Sequence, residues 1–181
     1  MEPSLIVKKE KFVCEAVWET YVELGDNAYR KGFFDLAHKM FTSALIEINR
    51  PASGEVGLAE TLNTLGAFYL EQEHYKKAEV LHRRALETQE ELLPKDDERV
   101  AGTLILLAKS LSAESKFTLA EKHLRRSLAI VRRVYGKKSV ETLEPLALLI
   151  ALLKKSGGYQ EAVRLDEMVF SIKHANRIQQ A

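Results

Sequence analysis

The side chains of this chain best suited to chemistry are its arginines and histidines. His74 to Glu87 reads HYKKAEVLHRRALE, and Lys116 to Ala129 reads KFTLAEKHLRRSLA. Paired guanidinium groups at Arg83-Arg84 and Arg125-Arg126 could grip a phosphate through charge-assisted hydrogen bonds. The stretch from Lys116 to Lys138 extends that idea. It carries Lys116, Lys122, Arg125, Arg126, Arg132, Arg133, Lys137 and Lys138 against Glu121 alone, a basic run able to touch nucleic acid. An acidic run from Glu87 to Glu98 lies close by in sequence and favours a solvated charged face instead. The histidines are His38, His74, His82, His123 and His174. No two are four apart on one helix, and Cys14 is the only cysteine, so the ligand spacing of a metal site is missing. No Ser-His-Asp set is placed by spacing, and no glycine-rich phosphate loop follows a strand. The reading is a protein without catalytic residues, metal or cofactor.

The bulk numbers agree with a packed, non-polyelectrolyte protein. Of 181 residues, 46% are hydrophobic and 29% charged, so wholesale disorder is not expected. Net charge is +1, which argues against a chain devoted to coating nucleic acid or an anionic membrane. One cysteine cannot form an internal disulfide, and the N-terminus MEPSLIVKKEKF lacks a secretory pattern. The longest apolar run, Leu146 to Leu153, is far too short to span a bilayer. A cytoplasmic location without membrane contact is the expectation.

What positions these residues is a repeat. Ala37, Ala78, Ala120 and Ala162 recur at lags of 41, 42 and 42. Three residues before each stands an aromatic: Phe34, Tyr75, Phe117 and Tyr159. Twelve or thirteen before lie Leu24-Gly25, Leu65-Gly66, Leu107-Ala108 and Leu149-Ile150, and seven after come Ala44, Ala85, Ser127 and Val169. Apolar residues recur at helical steps nearly throughout, so the chain reads as all-α: four helical hairpins, each needing its neighbours to cover its apolar face. In the second unit Leu62, Leu65, Gly66 and Tyr69 share a face of the first helix. Gly66 is expected to face Ala78 and Ala85 for close helix approach, and His82 to be a packed residue. Asp96, Asp97 and Glu98 put negative charge at a helix start. Pro145, tolerated only in a first turn, sets a start near Thr142 with Thr142 as the cap.

This small-aromatic-small spacing resembles the tetratricopeptide repeat. The 42-residue lag is similar to the longer version found in kinesin light chains. The resemblance covers about residues 18 to 175 and implies a right-handed α-solenoid. The expected organisation is an N-terminal helical extension or cap over 1–17, with Leu5, Ile6, Phe12, Val13 and Trp18 capping the first hairpin. One domain follows over 18–178, with repeats at about 18–51, 59–92, 101–134 and 143–176, and a tail over 179–181.

The same resemblance implies that first helices line a concave groove. Mapped here, the groove positions include Val22, Asp26 and Tyr29; Asn63, Ala67 and Leu70; Ile105, Lys109 and Ser112; and Ala147, Ala151 and Lys154, with Glu144 and Lys155 beside them. The family's clamp for a C-terminal carboxylate needs Lys, Arg and Asn where this chain has Val22, Asp26, Thr64, Gly102 and Leu106. Of the paired asparagines of kinesin-light-chain cargo grooves only Asn63 is present. The implied partner is a peptide segment or partner helix with charges complementary to a mixed groove. Two other readings stand beside it: phosphate or nucleic-acid contact through 116–138, and self-association through the apolar fourth repeat, whose first helix LEPLALLIALLKK is apolar on nearly every side.

Overall fold

The computed structural model describes residues 3–48 and 55–179, with side chains described for 17–47 and 57–177. Among them stand eight α-helices and no strand: α1 (Pro3–Arg30), α2 (Phe34–Ile48), α3 (Glu55–Glu71), α4 (Tyr75–Leu92), α5 (Glu98–Ala113), α6 (Phe117–Tyr135), α7 (Leu143–Ser156) and α8 (Tyr159–Gln179). They pair in order as four antiparallel hairpins. α1 is one unbroken helix back to Pro3. The side chains of Leu5, Ile6, Phe12 and Val13 lie outside the described residues. The chain divides into two compact units, one up to Leu92 and one from Leu93 on, with two hairpins each.

Every hairpin turns the same way, and the backbone does the turning. Gly32, Glu73, Ser115 and Gly157 occupy equivalent positions with φ of 78°, 59°, 61° and 90°. The next residue's N–H then reaches back to the first helix: Phe33 to the Ala28 carbonyl at 2.9 Å, and His74 to Tyr69, Lys116 to Leu111 and Gly158 to Leu153 at 2.8 Å each. This is the left-handed helix ending that satisfies otherwise orphaned carbonyls. It leads directly into the aromatic residue that opens each second helix.

Close approach within a hairpin is set by size pairing. A Cβ on Gly66 would meet the His82 ring at 2.5 Å, and one on Gly25 would meet the Phe41 ring at 2.5 Å. The atoms nearest Gly66 thus belong to His82 and not to Ala78 or Ala85. The glycine makes room for a large side chain about two turns into the opposite helix. His82 is fully buried there, as a packing residue. In the third hairpin the equivalent pair is Ala108 with Leu124, both buried. Ser127, at the small position held by Ala44 and Ala85, donates its hydroxyl to the buried Ala101 carbonyl at 2.9 Å. The extra oxygen is therefore satisfied inside the core.

In the unit before Leu93 the core joins α2 to α3. Phe41, Leu65 and Phe68 cluster with Ala28 and Ala37, flanked by Tyr29, Leu45, Tyr69 and Leu81. Phe68 lies edge-on to Tyr29 at 5.8 Å, and the His38 Nε2 and Tyr69 hydroxyl stand 2.6 Å apart across the two helices. Burial raises the Tyr69 phenol above its ordinary value. Lys77 sits 4.9 Å above the same ring, a favourable cation–π placement.

In the unit from Leu93 on, Asp97 caps α5. Its carboxylate accepts from the Arg99 N–H at 3.0 Å and is gripped by the Arg99 guanidinium at 2.9 Å. These bonds hold the Asp97 carboxyl below its usual range. The start of α7 falls where expected, with Thr142 at its cap position, but is built without a side-chain cap. A 3-10 turn over Val140–Thr142 precedes it, and Thr142 makes no side-chain cap bond. The Thr142 hydroxyl instead donates backward to the Ser139 carbonyl at 2.6 Å, because the residue is already helical (φ −75°, ψ −15°) and its side chain faces the turn. Pro145 occupies the first turn of α7, where no N–H is needed.

The apolar α7 is covered within its own unit. Leu146 packs with Leu128 of α6 and Ile172 of α8, flanked by Leu143, Leu165 and Val169. Leu149, Ile150, Leu152 and Leu153 are also buried. Uncovered apolar surface lies instead on α8, at Tyr159, Val163, Met168 and Phe170.

Candidate functional site

The groove positions on α5 and α7 meet in a defined cleft of about 120 Å³. Lys109 and Ser112 come from α5 and Ala151 from α7. Helical steps of three and four put Ala108, Lys109 and Ser112 on adjoining stripes of α5, and Leu148, Ala151, Leu152 and Lys155 do the same on α7. Leu124 of α6 forms the floor. The cleft exists because position 151 is alanine and exposed: a larger side chain there would fill it. Its base is apolar, and its rim carries a hydroxyl and two ammonium groups. Lys109 Nζ donates to Glu144 Oε1 of α7 at 3.0 Å, tying the two helices together along the rim.

Other expected positions fall around this cleft. Ala147 is exposed one turn before Ala151 on α7. Lys154 turns away and donates to Asp166 of α8 at 2.8 Å. Ile105 is only 7% exposed, so it packs and offers a ligand little surface; a β-branched apolar residue at that step is drawn into the core. In the other unit Val22, Asp26 and Tyr29 on α1 and Asn63, Ala67 and Leu70 on α3 are all half-buried. Tyr29 is engaged with Phe34 at 5.7 Å as well as with Phe68. Sequence reasoning left Leu124 out, since the floor belongs to a second helix. The signal was present in its register with His82 and Phe41.

The basic outer run is largely spent inside the protein. Arg125 bonds Glu121 of its own helix and both carboxylate oxygens of Glu161 on α8, at 2.8 Å each. The Glu161 bonds raise its already high pKa further. Arg133 pairs with Asp96, and Arg132 donates to Met168 Sδ at 2.9 Å. These contacts stitch α6 to its neighbours. Among the described residues no group of three metal-ligating side chains comes together, and no helix is long and apolar enough to cross a membrane.

Helical hairpins at a fixed lag, with a cleft between successive first helices, define an α-hairpin repeat protein. Two models described as tetratricopeptide repeat match the chain, one over residues 99–173 and one over 58–98. The chain belongs to the tetratricopeptide-repeat family. No curated protein sequence matches it. Its fold is similar to that of BtubC (BKLC) from P. vanneervenii, with a TM-score of 0.82 and 20% identity over 95% of this chain and 68% of that one. It is also similar to nearly identical TPR-like repeats of a Podosopora anserina chain described as a kinesin light chain, with a TM-score of 0.76 and 17% identity over 88% and 76%. A third likeness is to the apo form of RapI, with a TM-score of 0.78 and 14% identity over 90% and 58%. Proteins of this repeat are in general interaction scaffolds without catalytic activity.

Proposed function

We propose that this protein is a non-catalytic scaffold that holds a peptide segment or partner helix against its first helices. The observation that supports this most is the cleft between α5 and α7. Its volume of about 120 Å³ suits one aliphatic side chain. The apolar floor of Leu124, Leu148 and Leu152 rewards burying that group at roughly 25 cal/mol per Å². Lys109, Lys155 and Ser112 stand where an acidic side chain or backbone carbonyl beside the anchor would need donors. A short ligand with an aliphatic anchor flanked by acid is thus the best match.

The test is peptide selection on the immobilised chain, followed by affinity measurement on the enriched sequences. Ala151→Arg fills the cleft from an exposed position and should cut affinity at least tenfold with helicity unchanged. Lys122→Ala, on the outer surface, should leave affinity as it was. Equal affinity for the Ala151→Arg variant and the parent would place the binding elsewhere.

A further inference from the structure

Register equivalence carries an inference beyond the cleft. The stripe Thr20, Leu24 and Asn27 on α1 corresponds to Thr61, Leu65 and Phe68 on α3 and to Pro145, Leu149 and Leu152 on α7, each the second first helix of its unit. All six of these later residues are buried. Thr20, Leu24 and Asn27 are all exposed, Leu24 by 48%. Each of these first helices has its own second helix beside it. What α1 lacks among the described residues is a hairpin before it.

The other end shows the complement. Phe170 on α8 stands in register with Leu45, Leu86 and Leu128. Leu45 packs, beside Leu58, on the cluster that holds Ala59 and Leu62 of α3, and Leu128 clusters with Leu146 of α7, flanked by Leu143. This position therefore receives the next first helix. Leu128 is 6% exposed, whereas Phe170 is 72% exposed. Val163, seven residues earlier on the same face, is in register with His38, which reaches Tyr69 of α3. A bare face on α8 is thus shaped for a first helix, and α1 is the first helix that keeps an exposed stripe, at Thr20, Leu24 and Asn27.

We infer that these faces bind each other between copies of the chain, head to tail. The register places Phe170 of one copy against Val17, Trp18 and Tyr21 of the next, the positions equivalent to Leu58, Leu143, and Leu62 with Leu146. All three are half-buried and apolar or aromatic, with Leu24 beside them. The contact continues the junction already seen inside each unit, so its chemistry is specified and not merely sticky. It is heterologous: one copy's head takes another's tail, which builds chains or rings and not a two-fold dimer.

The experiment is sedimentation equilibrium on the full chain and two variants, Leu24→Glu and Phe170→Glu. Both sites are exposed, and circular dichroism should show unchanged helicity. If either variant loses helicity, Asn27→Arg replaces the first and Val163→Glu the second. The parent should exceed the mass of one chain increasingly with concentration. Each variant alone should stay at one chain, since it lacks a head or a tail. Their equimolar mixture should reach twice that mass and stop, because one intact head meets one intact tail. A parent that stays at one chain up to high concentration overturns the inference. So does assembly that survives either substitution, the signature of a two-fold contact or of another surface.

Discussion

At the scale of single residues, two positions carry a conformational cost that can be removed. Glu73 and Ser115 hold left-handed backbone with φ of 59° and 61°, where the other two hairpins have Gly32 and Gly157. A Cβ is disfavoured in that region. Glu73→Gly and Ser115→Gly should each stabilise the protein by about 0.5–1 kcal/mol, less the flexibility glycine adds to the unfolded chain. A denaturant midpoint that rises with unchanged slope checks this. The Gly66–His82 pair predicts the opposite sign. Gly66→Ala thrusts a methyl at the His82 ring and should cost about 1–3 kcal/mol. Gly66→Ala with His82→Leu copies the pairing of Ala108 with Leu124 and should recover much of the loss in the same titration.

At the scale of elements, helix ends differ in how they are fixed. Asp97→Ala removes a side-chain cap from α5 and should cost about 1 kcal/mol. Its pH dependence has a definite sign. The folded carboxyl is held below the ordinary aspartate value of 3.8 by Arg99. The cap's contribution is therefore complete above that value and is lost as pH falls through the lowered one. The parent and Asp97→Ala stability curves should converge in acid. Helix existence and order were legible in the sequence because the alanine, the preceding aromatic and the small residue recur at fixed offsets. The start of α7 was less so. Pro145 located it, but Thr142 was already helical, so its hydroxyl turned back to Ser139 instead of capping. Lys109, Ser112 and Ala151, expected on one groove, line one cleft. Ile105, expected beside them, is buried, because tertiary packing draws its apolar side chain inward.

At the scale of the whole molecule, two compact units of two hairpins make stability a sum of local terms. Gly66→Ala should thus speed amide exchange in α3 and α4 before it affects α7 and α8, a pattern readable by hydrogen exchange. A uniform increase across all eight helices would show that the units unfold as one. Net charge and the Lys116–Lys138 run pointed in different directions in the sequence. In the structure two arginines of that run enter long-range pairs, Arg125 with Glu161 and Arg133 with Asp96, that only folding brings together. The common corner has a last consequence. Its hydrogen bonds join main-chain atoms, so side-chain identity barely enters, and the corners act as graduations on a ruler. Cutting after Glu73 and rejoining at Lys116 would excise residues 74–115, one full period. Lys116 would then donate to Tyr69 as His74 does now, and the mark of the splice would be Gly66 facing Leu124 where Ala108 stood.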